Sequence, residues 1–314
     1  MRNCYDVLPL SFRLIELDVG LTVKESLSIL VQCGIVSAPL WDSTTSTYAG
    51  LLTVNDYLNV VRYYNLHTDK LKDVDSLLLS DLKEVEHVLQ VKSPETISTS
   101  PEARLYDALQ KQLLSRARRI PLVSYDSESQ RTMVVSVITQ YRILKFIAIN
   151  VPQTELLRKP LGMIRLGTYE NVFRCSMEAT VLDVIDEMVT RNISSVPVCT
   201  TDGKHSTSPL EILLTSADVL LNVFEAVDVI ELLKNGDYSN LNWSVGRALA
   251  LRHATHPGVY TCTLEDGLDT IFDTIRKSRV HRLTIVDENN VLKGVLSLSD
   301  VLHYILVEGE EAKH

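Results

Sequence analysis

Four segments of this 314-residue chain carry one pattern. The first is "VKESLSILVQCGIVSAPLWDSTTSTYAGLLTVNDYLNVV", from residue 23. The second is "LYDALQKQLLSRARRIPLVSYDSESQRTMVVSVITQYRILKFI", from residue 105. The third begins "VLDVIDEMVTRNISSVPVCTTDG" at residue 181 and resumes at "LLNVFEAVDVIELL"; the fourth, "LDTIFDTIRKSRVHRLTIVDENNVLKGVLSLSDVLHYIL", starts at residue 268. Each opens with apolar residues at helical spacing, as in Leu27, Leu30 and Val31. A short apolar run follows ("SAPLW", "RIPLV", "SVPVC", "RLTIV"), then a polar turn and a second run ("AGLLT", "VVSVI", "LLNVF", "GVLSL"). Each segment ends in a second amphipathic helix. The predicted unit is helix, strand, turn, strand, helix. Its sheet is too small for two helices to cover both faces, so four units predict two pairs that bury one another.

Residues 150–162, "NVPQTELLRKPLG", separate the second and third repeats. Residues 66–89 read as a helical connector inside the first pair, and 235–258 play that part in the second. The third repeat carries about fifteen extra residues between its strands, "KHSTSPLEILLTSADV". They read as a surface loop, which costs little closure entropy, or as an intron wrongly translated into the sequence.

Composition narrows the function classes. A net charge of −9 argues against a general nucleic-acid binder, so any phosphate site must be a local cluster of cations. The five cysteines are odd in number and form no CxxC, so neither a disulfide framework nor a zinc knuckle is expected; buried free thiols are. No run approaches ~18 apolar residues, so no membrane span is expected. The opening "MRNCYDVLPL" lacks the pattern of a signal peptide, and the cell interior is the expected location. "GKHS" at 203–206 fails as a phosphate loop because Val198 stands where its first glycine should be. His253 and His256 lack a third metal ligand nearby, and neither a G-x-S-x-G elbow nor an H-R-D signature occurs.

The repeat resembles the cystathionine β-synthase (CBS) domain, which pairs into Bateman modules. The stretches "YDVLP", "IVSAPLWDS", "AGLLT", "VVSVITQYRILKF", "NGDYSNL", "GVYTCT" and "RVHRL" occur in that order. Together they resemble the gamma subunit of the AMP-activated protein kinase family, in its fungal form, over nearly the whole chain. The resemblance implies an α/β chain of α+β-type CBS repeats in two Bateman modules packed as a flat disk. Module 1 would span 1–159, with CBS1 at about 5–66 and CBS2 at about 90–150. Module 2 would span 160–314, with CBS3 at about 160–236 and CBS4 at about 250–310. It further implies a non-catalytic subunit with no cofactor, whose regulatory ligands are AMP, ADP and ATP. Its partners would be a catalytic kinase alpha subunit and a beta scaffold subunit, with no nucleic acid and no membrane. Its place would be the cytoplasm, with the nucleus as a second location.

Aligning the repeats puts Asp56, Arg142, Asp228 and Asp300 at one position, just past a strand at the start of a second helix. A carboxylate there can accept hydrogen bonds from both hydroxyls of a ribose. Helix capping explains a lone aspartate as well; three at one place, with the resemblance, favour a ligand. Three residues earlier stand Thr53, Thr139 and Ser297, with Glu225 in the third repeat. The site stretches thus read Thr139-Gln140-Tyr141-Arg142 and Ser297-Leu298-Ser299-Asp300. A guanidinium only donates, so the pocket of Arg142 lacks the ribose clamp and is expected to stay empty, with Arg142 better placed for phosphate. A second line precedes each first strand: Val36-Ser37, Arg118-Arg119, Ser194-Ser195 and His281-Arg282. These are expected to converge on phosphate, which suits the planar fork of arginine. Alone, "SRARRIP" also reads as a solvated basic helix end. Animal members of the family carry an arginine where Val36 stands and a lysine where Tyr141 stands, so the first pocket here is poorer in cations.

Overall fold

The computed structural model describes the chain except residues 1, 10–12, 69–73, 92–96, 116–117, 129–130, 151–157, 201–217, 235–237, 254–255, 257 and 312–314. The first repeat is β1 (Leu17–Asp18), α1 (Val23–Cys33), β2 (Ser37–Asp42), β3 (Thr47–Thr53) and α2 (Val54–Leu66), followed by α3 (Leu82–Val88). The second is α4 (Leu105–Leu114), β4 (Arg119–Asp126), β5 (Arg131–Thr139) and α5 (Gln140–Asn150). After α6 (Leu161–Ile164), the third is α7 (Val181–Thr190), β6 (Ser195–Cys199), β7 (Leu220–Glu225) and α8 (Ala226–Leu233). Past α9 (Val245–Leu249), the fourth is β8 (Thr261–Cys262), α10 (Leu268–Ser278), β9 (Arg282–Val286), β10 (Leu292–Ser297) and α11 (Leu298–Glu311). The extra residues of the third repeat fall almost wholly outside the described residues, as does most of "NVPQTELLRKPLG".

The four units agree in detail. Each first helix starts fourteen residues ahead of its first strand: Val23 to Ser37, Leu105 to Arg119, Val181 to Ser195, Leu268 to Arg282. Each buries the same stripe of offsets: Val23, Ser26, Leu27 and Leu30; Leu105, Ala108, Leu109 and Gln112; Val181, Val184, Ile185 and Met188; Leu268, Ile271, Phe272 and Ile275. That spacing is one face of a 3.6-residue helix. Left-handed residues at Gly34 (φ 63°), Asn192 (φ 51°) and Arg279 (φ 60°) then turn the chain into the strand. Each hairpin pairs four rungs before its register shifts, past Leu40, Leu122, Val198 and Ile285. The added residue is always on the second strand: Ala49, Val135, Leu221 and Lys293.

Two features are absent from the predicted unit. A short parallel strand precedes each first helix and pairs with the first strand of its hairpin. It is β1 on β2 and β8 on β9, and single bridges Thr99–Leu122 and Cys175–Val198 in the middle repeats. Pro39, Pro121 and Pro197 lack an N–H near this edge; at their position Thr284 donates its N–H to the Tyr260 carbonyl at 3.0 Å. The residue before each first helix also makes one antiparallel bridge. These are Thr22–Leu78, Arg104–Asn3, Thr180–Ser244 and Gly267–Pro160. The exchange is reciprocal: the segment leading into one repeat docks on its neighbour, one with two and three with four. Short helical turns follow those segments at Cys4–Val7, Leu79–Asp81, Leu161–Ile164 and Val245–Leu249.

By proximity the chain divides into two compact units. One holds Met1–Phe146, Ile185–Ser194 and Ala226–Leu241. Its interior is built on Leu30, Leu52, Leu58, Ile120, Ile138 and Met188, all nearly inaccessible. Within it α2 packs against α8 and α3, and Arg62 pairs with Asp186 at 2.7 Å. The other holds Ile147–Val184, Ser195–Glu225 and Asn242–His314, with Leu161, Phe224, Ile285, Leu296 and Leu298 in its interior. There the hairpin of the third repeat meets that of the fourth. Leu220 donates its N–H to Asn290 at 2.9 Å, the Asn290 amide returns to Leu220 at 2.8 Å, and Arg174 pairs with Asp218 at 2.8 Å.

Among the described residues no helix is long and apolar enough to cross a membrane, and no His, Cys, Asp and Glu group is arranged to hold a metal ion. All five cysteines are free. Burial pushes the thiols of Cys4 and Cys199 up to about 11 and those of Cys175 and Cys262 to about 12, which leaves them unreactive. Cys33 departs from the expectation of buried thiols. It is exposed because it ends α1 off the buried stripe.

Candidate functional site

Hairpin register brings the two lines of candidate residues together. Ser37 pairs with Thr53, Arg119 with Thr139, Ser195 with Glu225 and Arg282 with Ser297. The second helix begins at the next residue. Its first N–H returns to the carbonyl that precedes the first strand: Gln140 to Arg118 at 3.3 Å, Ala226 to Ser194 at 3.0 Å and Leu298 to His281 at 3.1 Å. The position occupied by Asp56, Arg142, Asp228 or Asp300 lies three residues past the last rung. A basic side chain before one strand and a carboxylate after the next are thus neighbours by construction.

In the second unit this arrangement surrounds Asp300. Its Oδ2 accepts from the Ser297 N–H at 2.8 Å and the Ser297 hydroxyl at 2.7 Å, while Ser297 Oγ accepts the Asp300 N–H at 3.3 Å. This capping box satisfies N-terminal groups of α11. The capping and ligand readings are compatible, because Oδ1 accepts no hydrogen bond among the described residues. Arg282 is half-buried and donates to the Ser195 hydroxyl. Burial lowers its pKa, and the Glu225 and Asp300 carboxylates oppose that. Tyr169 also faces Asp300. Burial, Cys262 and Asp300 raise its pKa, and its hydroxyl donates to the Leu166 carbonyl at 2.8 Å. Thr168 beside it exchanges backbone hydrogen bonds with Val295 at 2.8 and 2.9 Å. Sequence reasoning missed Thr168 and Tyr169. His281 is exposed, Ser299 is half-buried, and Leu298 belongs to the core.

In the first unit the equivalent place is an open cleft of about 280 Å³. Val36, Ser37, Arg119, Thr139 and Arg142 line it, together with Arg13, which sequence reasoning did not single out. Arg142 donates to the Val137 carbonyl at 2.9 Å, and its N–H reaches Thr139 Oγ1 at 3.2 Å. Arg118 lies exposed and donates to the Ser194 hydroxyl, while Asp228 is buried. Gln140 is buried and Tyr141 half-buried.

Asp56 is differently placed from Asp300. Its Oδ2 caps Thr53 through the backbone N–H at 2.5 Å and the hydroxyl at 3.0 Å. Glu86 of α3 also hydrogen-bonds to it. Burial, and next the Glu86 charge and hydrogen bond, raise the Asp56 pKa against the lowering effect of the Thr53 contacts. A sugar at Asp56 must therefore displace a carboxyl. A group that holds its proton more tightly folded than unfolded costs stability as pH rises above its unfolded pKa, about 3.9 for Asp. The wild-type urea midpoint is expected to fall from about pH 4 toward neutrality through this group, and Asp56→Asn to flatten that fall. An Asp56→Asn chain with the full wild-type slope would rule Asp56 out as its source.

Comparison with known proteins places this architecture. The profile of the CBS domain matches residues 163–206 and 251–307. The Saccharomyces cerevisiae protein named 5'-AMP-activated protein kinase subunit gamma is 48% identical over 98% of this chain and 90% of its own length. The chain belongs to the gamma-subunit family of AMP-activated protein kinase. A Kluyveromyces lactis protein of the same name is 47% identical over 97% of this gamma-family chain and 89% of its own. The crystal structure of a Methanocaldococcus jannaschii protein, described as a candidate archaeal homologue of g-AMPK, superimposes with a TM-score of 0.70. At 15% identity, over 97% of this chain and 100% of that one, it supports the fold.

Proposed function

We propose that this chain is the non-catalytic regulatory subunit of a heterotrimeric Ser/Thr protein kinase, with a catalytic alpha subunit and a beta scaffold subunit as partners. It binds AMP, ADP and ATP at its CBS repeats and couples adenylate charge to kinase activity. The observation that carries the ligand reading is the adjacency of Arg282 and Asp300, with Asp300 Oδ1 unused by the cap. The acid accepts ribose hydroxyls, and the cation, helped by His281, holds phosphate. Asp228, with Arg118 and Ser194 in the same unit, supplies a second set of these groups. AMP, ADP and ATP differ only in their number of phosphates, and hence in charge, so discrimination falls to the cations. A ligand that binds two states unequally shifts the balance between them.

A second reading, a constitutive scaffold with little nucleotide binding, is favoured by Val36 and by the Asp56–Glu86 contact. Titrating AMP and adenosine into the wild-type and Arg282→Ala chains decides between them. The ratio of AMP to adenosine affinity is expected to narrow about tenfold in the variant, as one charge-assisted bond is lost. An unchanged ratio moves the phosphate away from Arg282. No binding of AMP below millimolar concentration by folded wild-type protein selects the scaffold.

A further inference from the structure

We propose that the cleft of the first unit binds a small, multiply charged oxyanion of the phosphate and pyrophosphate class, held by Arg13, Arg119 and Arg142, and that it does not bind a nucleoside. The inference is independent of adenylate binding at Asp300. Expecting this pocket to stay empty rests on Arg142 alone; the structure adds two further guanidiniums to the same lining.

Charge is the first argument. The chain carries a net −9, yet this cleft is lined by three arginines and no carboxylate. Its field is opposite in sign to that of the whole molecule and draws anions to one place. The state of the cations is the second. Among the described residues neither Arg119 nor Arg13 has a side-chain hydrogen bond or ion pair, although Arg119 is half-buried. Burial lowers the pKa of Arg119 and Arg142, which marks guanidiniums short of water. A buried cation without a partner is costly, and a bound anion offsets that cost. Arg142 is held in place by its bond to the Val137 carbonyl, so part of the site is preformed.

Chemistry and size then select the ligand. Arginine supplies only donors in a planar fork, which suits an oxyanion rich in acceptors. Arg142 stands where the other repeats have Asp, so the strong acceptor for ribose hydroxyls is missing. At about 280 Å³ the cleft lies just below the usual range of ligand sites, roughly 300–1,000 Å³.

The test is calorimetric titration of inorganic pyrophosphate into the wild-type, Arg13→Gln and Arg142→Gln chains at low salt. Binding by wild type and a loss of about fivefold or more in each variant are expected from removing one charged contact. Arg13 is exposed, so R13Q leaves the fold intact, and circular dichroism verifies this for both variants. No binding of pyrophosphate, or equal affinity in wild type and R13Q, overturns the proposal. Repeating the R13Q comparison with adenosine 5'-diphosphate separates the sources of the phosphates. A larger loss for the nucleotide than for pyrophosphate would show a nucleoside-reading site and sink the claim. The same R13Q loss for pyrophosphate is expected in an Asp300→Ala background, so failure of the adenylate reading and failure of this one give different results.

Discussion

Asp300→Ala is expected to weaken AMP binding by about a hundredfold to ten-thousandfold, the loss of two hydrogen bonds to a charged acceptor at about 1.5–3 kcal/mol each. The substitution also removes the cap on α11, which costs about 1 kcal/mol of folding stability. Two measurements separate these effects. Denaturation reports the cap, and titration of protein shown to be folded reports the ligand. Asp300→Asn sharpens the contrast, because its amide oxygen still accepts the Ser297 N–H while the negative charge is gone. That variant is expected to regain most of the stability and little of the affinity. Equal AMP affinity in wild type and both variants removes Asp300 from the site, whatever becomes of the helix.

Phe224→Ala is expected to destabilise the protein by about 3–5 kcal/mol, the range for truncating a buried aromatic ring to a methyl. Phe224 is 0% exposed and stands opposite Val196 in the β6–β7 hairpin of the second unit. Its removal leaves a void in a sheet of only two long strands, which has little else to fill the space. Phe224→Leu retains more of the volume and is expected to cost about half as much. A loss below about 1 kcal/mol for Phe224→Ala, read from the urea midpoint, would contradict a close-packed ring at this position.

The sequence makes the repeat legible because every long element is periodic. Leu27 and Leu30 mark a helix, and runs such as "RIPLV" mark strands. The equivalence of Asp56, Arg142, Asp228 and Asp300 follows from that alignment, and hairpin register places each beside its basic or hydroxyl partner. Elements of one or two residues, such as β1, β8 and the bridge at Thr99, are too short to carry a period. Arg13 was missed because nothing in residues 13–15 says that they line one cleft with residues of β5. A signal exists in hindsight: the Arg-Leu pair at 13–14 recurs at 165–166, ahead of the third repeat, where Thr168 pairs with β10. Glu86 was hidden for a different reason. Its approach to Asp56 depends on α3 packing against α2, a tertiary fact with no local trace.

The shared register shift gives the four hairpins two ends with different freedoms. Turn lengths vary widely, from residues 43–46 in the first to 200–219 in the third, yet the four rungs nearest the second helix keep one alignment. Differences in chain length therefore fall between the strands, beyond the register shift. The ends that present Ser37, Arg119, Ser195 and Arg282 stay calibrated against their helices. Such a hairpin can gain or lose residues between its strands without disturbing the alignment of the side chains at its other end.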